Sequence, residues 1–176
     1  MARSKSSTFL MSGVLEAWDW FDNGLQNLVM DAGFRPLNKS QSMMVLYISA
    51  GIQRPIEIAR KMRLSRQAIG HIATQLMDLG IVVAKDDPTD GRSMILSFTE
   101  KSSSLRSFAQ MAILDLEETL CARLGKRDFQ ILRNMLELDW GPTVKTSTDL
   151  SQPSRASEYM KTHGKTAGRR KQARTI

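Results

Sequence analysis

The sequence predicts a mainly α-helical chain carrying one small β-hairpin. Three observations support this reading. Apolar residues recur at helical spacing over most of residues 12 to 139, as in Ile69, Ile72, Ala73, Leu76 and Leu79. Two β-prone runs, Ile81-Val82-Val83 and Met94-Ile95-Leu96, flank a loop rich in Asp, Pro, Thr and Gly. Beyond Gly141-Pro142 the periodicity dissolves into Ser, Thr, Lys, Arg and Gln.

Residues 1 to 11 read as a flexible N-terminus, Ser-rich and basic, with Phe9-Leu10-Met11 as the only apolar patch. That patch is too short for a secretory signal of about 7–15 apolar residues. From Val14, the residues Val14, Trp18, Phe21, Leu25, Leu28 and Ala32 follow in steps of four and three. This is a heptad-like seam, narrower than an ordinary core-facing stripe, and it suits either a helix packed on its own domain or a subunit interface. Gly33 and Pro36 end it. A second helix near 38 to 50 opens at Asn38 or Ser40 and carries Met43, Met44, Leu46, Tyr47 and Ile48. Gly51-Ile52-Gln53 leads onward as a connector or a short strand against the hairpin.

The stretch from Arg54 to Thr99 is the part the rest serves, with its core at residues 52 to 99. Pro55 suits the first position of a helix, because its missing N–H would have no partner there. Ser65 sits where an N-cap belongs, and Gly80 where a helix closes. Gln67, His71, Thr74 and Asp78 fall opposite the stripe of Ile69 to Leu79. Two helices joined by a tight turn, the second exposing hydrogen-bonding side chains, form a helix-turn-helix whose second helix can enter a DNA major groove. The hairpin, tipped by Asp90-Gly91-Arg92, makes a wing able to reach an adjacent groove.

The candidate DNA-binding residues are therefore Ser65, Arg66, Gln67, His71 and Thr74 on the second helix, with Arg92 on the wing. Gln reads adenine well, whereas Arg reads guanine or binds phosphate. The bland alternative is an ordinary solvated helix face. Asp87 and Asp90 would repel phosphate, so a structural job in the wing is expected of them.

After Thr99 a long helix, capped by Thr99 or Ser102, runs to about Arg123 with Leu105, Phe108, Ala112, Leu116, Leu120 and Leu124 on its apolar side. Gly125 breaks it, and a last helix near 126 to 139 carries Phe129, Leu132, Met135, Leu136 and Leu138. Residues 141 to 176 bury too little to offset chain entropy and are expected to be disordered. This tail also holds most of the charge. The chain is +7 overall, yet residues 143 to 176 hold eight Lys/Arg against Asp149 and Glu158, which leaves the rest at +1. The high pI alone is thus no evidence that the folded part binds DNA.

Cys121 is the one cysteine, which excludes an internal disulfide and a Cys-based zinc site. His71 and His163 lack ligand-spaced partners, so neither metal nor cofactor is expected. No run approaches the roughly 18–20 apolar residues of a membrane helix. No nucleophile elbow, phosphate-cradling Gly loop or zinc-protease motif is present. A soluble cytoplasmic protein that is not an enzyme is expected.

Asp87-Pro88-Thr89-Asp90-Gly91-Arg92, followed by Leu96-Ser97-Phe98-Thr99, resembles the wing of the multiple-antibiotic-resistance regulator (MarR) family, with its Asp-Pro-x-Asp-x-Arg tip and closing Leu-x-Leu/Phe-Thr. Leu64-Ser65-Arg66-Gln67-Ala68-Ile69 fits the family's Leu-Ser-x-x-Ala/Thr-Val/Ile recognition stretch. The resemblance spans roughly residues 12 to 139. It implies a homodimer whose first and last helices interlock, with Arg92 in a minor groove and Asp90 holding the tip. It also implies a small aromatic or phenolic effector between the dimer helices and the DNA-binding lobe. Trp18, Trp20, Phe21, Phe34 and Tyr47 are the candidates to line that pocket or to form dimer core. Two positions depart from the family: Gly70-His71 stands where Ser-Arg is frequent, and Ser102 where Gly is usual. The first puts an inherited base preference in doubt.

The reading is a winged helix-turn-helix homodimer that binds double-stranded DNA at a pseudo-palindromic operator and represses transcription. The alternatives are an architectural DNA binder with little sequence choice and an adaptor whose winged helix contacts another protein.

Overall fold

A computed structural model describes residues 9–163. The first helix, α1 (Leu10–Asp31), starts without a side-chain cap, four residues before the seam begins at Val14 and inside the N-terminus expected to be flexible. Its buried residue is Val29, one position off that seam. Trp18, Phe21, Leu25 and Leu28 are half-buried. α2 (Lys39–Ser49) opens with a capping box. Asn38 accepts from the Gln41 backbone N–H, and the Gln41 side chain accepts from the Asn38 backbone N–H. Two orphan donors of the first turn are thereby satisfied.

Gly51–Gln53 is not a strand. It contributes one bond to the wing, Leu96 N–H donating to the Gln53 carbonyl at 2.9 Å. Pro55 begins the next helix at once, so the segment has no length left to pair. α3 (Pro55–Met62) has Pro at its first turn and ends on Arg63 in the left-handed region at φ 54. α4 (Arg66–Asp78) is capped by Ser65, whose hydroxyl accepts from Ala68 N–H. Its stripe Ile69, Ile72, Ala73 and Leu76 is buried. Gly80, at φ 69, turns the chain out of the helix.

β1 (Val82–Asp87) and β2 (Asp90–Phe98) form an antiparallel pair, in register from Val82 with Phe98 to Asp86 with Met94, with an irregularity at Asp86/Asp87. They are the two strands of the one sheet among the described residues. The core lies where helices and wing meet: Met44, Ile58, Ile69, Leu76 and Val82 are the large side chains most completely buried. Each stabilises the fold by roughly 1.5–3 kcal/mol relative to exposure. Thr99 closes the wing, its hydroxyl donating to the Gly80 carbonyl while accepting from Ser102 N–H.

A 3-10 turn (Glu100–Ser102) leads into α5 (Ser103–Leu124). α1 packs on α5 at Gly24, where an added Cβ would stand 2.9 Å from a Leu116 methyl carbon. Gly125, at φ 86, separates α5 from α6 (Lys126–Glu137). One compact unit ends at Gln130 and a second begins at Ile131. Within the segment expected to be disordered, a 3-10 turn (Ser147–Asp149) and a short helix, α7 (Arg155–His163), are present. Ser154 starts α7 by accepting from Ser157 N–H, a local cap that an argument from burial leaves out. Residues 1–8 and 164–176 lie outside the described residues, and so does most of the expected flexible N-terminus.

Candidate nucleic-acid interface

α4 repeats every 3.6 residues, so burying Ile69, Ile72, Ala73 and Leu76 turns Arg66, Gln67, Gly70, His71 and Thr74 outward; all five are exposed. Ser65 is exposed too, its hydroxyl oxygen engaged as the cap. The Thr74 hydroxyl donates to the Gly70 carbonyl at 3.0 Å, so toward solvent it can only accept. His71 Nε2 lies 2.9 Å from the Gln75 side-chain nitrogen. The Gln75 oxygen in turn accepts from the side-chain amide of buried Gln41 at 3.0 Å.

The surface around this helix is locally basic although the folded part is nearly neutral. Residues 54 to 78, through the end of α4, hold Arg54, Arg60, Lys61, Arg63 and Arg66 against Glu57 and Asp78. The N-terminus of α4 and the wing also border a common groove of about 280 Å³, lined by Arg54, Pro55, Ile56, Arg66, Ser93 and Met94.

The wing tip is built by two carboxylates. Asp87 is only 4% exposed. It accepts from Arg54 Nε at 2.6 Å, and from the Thr89 backbone N–H and hydroxyl at 2.9 and 2.8 Å. Those bonds, the Arg54 one foremost, hold its carboxyl well below the usual carboxylate range. Arg54 also donates to the Thr89 hydroxyl at 2.7 Å. Asp90 accepts from the Ser93 hydroxyl and the Arg92 backbone N–H at 2.6 and 3.1 Å, and these bonds lower its pKa. Arg92 stands exposed at the tip. Arg54 was not among the residues expected to shape this site. Its sequence signal was faint: it lies 33 residues before Asp87, and only a structural carboxylate without a named partner pointed to it.

Neither a family model nor a curated protein matches the sequence. Solved structures do. Wild-type MarR from E. coli superposes with a TM-score of 0.58 at 15% identity, over 75% of this chain and 97% of that one. A MarR transcriptional regulator from Methanosarcina mazei gives 0.57 at 18% identity, over 74% and 93%. NadR in complex with 4-hydroxyphenylacetate gives 0.56 at 17% identity, over 77% and 95%. The chain has a MarR-like winged-helix fold.

This MarR-like fold holds a half-open cavity of about 360 Å³ against α1, α2 and α5. The aromatic residues named as candidates for a pocket or for dimer core stand apart from it. None of Trp18, Phe21, Phe34 and Tyr47 lines it; Leu25, Val29, Val45, Phe98, Leu105 and Ile113 do. Trp18 and Phe21 share a helical stripe with Leu25 but lie about 10 and 6 Å nearer the start of α1, at 1.5 Å per residue. Trp20 meets Phe21 edge-on, with ring centroids 4.9 Å apart. Phe34 lines a smaller cavity of about 200 Å³ and packs on Phe108. Tyr47 packs against the core instead. The polar groups at the larger cavity were also unforeseen. Gln26 accepts from Leu37 N–H at 2.7 Å and donates to Ser42, and Arg106 lies over the Phe98 ring at 5.0 Å with its Nε buried and unpaired. Among the described residues no cluster of ligating side chains could hold a metal, and no helix is long and apolar enough to cross a membrane. Cys121 is half-buried and unpaired.

Proposed function

We propose that the chain is a sequence-specific DNA-binding transcription regulator, a repressor that works as a homodimer on a pseudo-palindromic operator. One observation carries the reading: the exposed row Ser65, Arg66, Gln67, His71 and Thr74 runs into a groove that Arg66 shares with the wing. Groove-edge chemistry and phosphate-binding charge thus lie on one surface, and base contacts specify while phosphate contacts position. Asp87 and Asp90 serve the wing, and Arg92 at its tip supplies a cation suited to a narrow, electronegative minor groove.

Dimerisation draws support from apolar side chains that a lone protomer leaves in water. α1 exposes Leu10, Met11, Val14 and Leu15, and α6 exposes Ile131, Leu132, Met135 and Leu136. In a dimer two copies of α4 enter successive major grooves about 34–36 Å apart. The cavity is of ligand size, within the usual ~300–1,000 Å³, and NadR holds 4-hydroxyphenylacetate. An effector of that kind, a small aromatic acid, would place its ring among Leu25, Val29 and Ile113 and its anion toward Arg106. It releases DNA by favouring a lobe spacing that fits the operator poorly, through differential affinity alone.

Selecting duplexes from a random pool with the purified protein, then titrating salt on the selected and a random duplex, tests the reading. A regulator binds the selected duplex about a thousandfold or more tighter. A ratio near one means an architectural binder, and no useful affinity means an adaptor.

A further inference from the structure

The polar chain behind His71 has a direction that can be read from its far end. It starts at the Asn38 backbone N–H, which can only donate, and Gln41 Oε1 accepts from it at 3.0 Å. The Gln41 amide therefore cannot be turned round, and its NH₂ faces Gln75, donating to Oε1 at 3.0 Å. With that oxygen committed, Gln75 meets the His71 ring through its own NH₂, at 2.9 Å from Nε2. An amide NH₂ has no lone pair to offer, so His71 Nε2 must be the acceptor. In a neutral imidazole the proton then sits on Nδ1. Side-chain amide orientation and histidine tautomer are usually open choices; here the backbone of α2 decides both.

We propose that Gln41, acting through Gln75, is a positioning residue that fixes His71 as the Nδ1–H tautomer, so that the exposed face of α4 presents a hydrogen-bond donor there. This rests on the proposed reading of α4 as the groove-entering helix. The residue just before, Gly70, has no side chain and faces open space, with nothing beyond its chain neighbours within 4 Å of where its Cβ would be. Thr74, one turn on, can only accept because its proton is committed to the Gly70 carbonyl. The middle of α4 thus offers one fixed donor and one fixed acceptor. A donor at His71 selects bases with major-groove acceptors, guanine N7 and O6, thymine O4 or adenine N7, over cytosine, whose exocyclic amino group can only donate. The selectivity originates on α2, in a residue that is 9% exposed and that also caps its own helix.

Two near-isosteric variants test this by different routes. In Gln41→Glu the carboxylate still accepts from Asn38 N–H but cannot donate, so Gln75 must turn its NH₂ toward it and its oxygen toward His71. In Gln75→Glu the side chain accepts from Gln41 on one side and from the ring on the other. Either change should move the His71 proton to Nε2 and leave Nδ1 an acceptor.

The full-length protein is examined at pH 8, well above the ordinary histidine pKa of about 6.5. Long-range ¹H–¹⁵N correlation reads which ring nitrogen carries the proton; the chain has two histidines, and His71→Asn assigns the signals. Nδ1–H in the wild type and Nε2–H in both variants is the expected result. Nε2–H in the wild type, or no change in either variant, overturns the proposal.

Selection from a random duplex pool reads the consequence. One position of the half-site should shift by about fivefold from guanine or thymine toward cytosine, the scale of one net hydrogen bond. An unchanged preference in variants that still bind specifically overturns the base-reading part. If no form binds DNA, the proposed function fails and base reading falls with it. The spectra still decide independently whether Gln41 and Gln75 set the ring.

Discussion

Arg54 Nε lies 2.6 Å from Asp87 Oδ2, joining the residue that precedes α3 to the last residue of β1. The wing is therefore anchored at its tip as well as through its strands. Since Arg54 also holds the Thr89 hydroxyl, one guanidinium organises the turn between the strands. That turn sets where Arg92 points, so the pair links the stability of the wing to its reach.

Asp87→Asn should loosen the wing and weaken DNA binding while leaving helix content intact. It should also remove a pH dependence. The folded carboxyl lies below its ordinary value, so the unfolded chain binds the proton more readily. The stabilisation is complete above the ordinary value of about 3.9, declines as pH falls below it, and is lost once the folded carboxyl itself protonates. Thermal denaturation from pH 7 to pH 3 checks this: the gap between wild type and variant should be largest near neutrality and narrow in acid. A gap independent of pH would assign the stabilisation to another group.

Arg92→Ala removes an exposed cation from the wing tip and no core contact. DNA affinity should fall, and the magnitude of the slope of log affinity against log salt should drop by about one per wing. Circular dichroism should be unchanged. An unaltered slope would mean that the wing does not touch phosphate.

Leu15→Glu places a charge on the part of α1 that a single protomer leaves exposed, where Leu15 is 55% exposed. The protomer should tolerate it and the dimer should not. Light scattering is expected to find a dimer for the wild type at micromolar concentration and a monomer-shifted equilibrium for the variant. DNA affinity should fall in parallel, because two half-sites need paired lobes. A wild-type monomer would remove the dimeric reading.

Deletion after Trp140 removes the segment that holds +6 of the charge. A tethered cation meets phosphates at high effective concentration without a fixed site. Its contribution should be similar on operator and random DNA, since phosphate contacts carry no sequence information. Both affinities should fall by a comparable factor, with a flatter salt dependence and a nearly constant ratio. Equal affinities with and without the segment would make it a dispensable solubilising tail, and a loss confined to the operator would point to a segment that contacts bases.

The fold of residues 52 to 99 was legible in the sequence because its signals are local. Pro55, Ser65 and Gly80 mark helix ends through their own backbone chemistry, and the stripe Ile69, Ile72, Ala73 and Leu76 needs only the helical repeat to be seen. The exposed face of α4 follows from the same repeat, and Asp87 and Asp90 were legible as turn-formers because carboxylates at a tip expected to face DNA need a reason to be there. What they bond to was not legible. Arg54 reaches Asp87, and Gln41 reaches Gln75, across 33 and 34 residues of chain, and no periodicity encodes which polar side chains will meet. The position of the cavity was not legible for a related reason. A helical stripe says that Trp18, Phe21 and Leu25 share a side of α1, but where along that side a void opens depends on where α2 and α5 cross it. Residues within a turn or a helix are constrained by covalent geometry, which the order of residues states directly. Partners distant in the chain are chosen by packing, which exists only once the elements have come together.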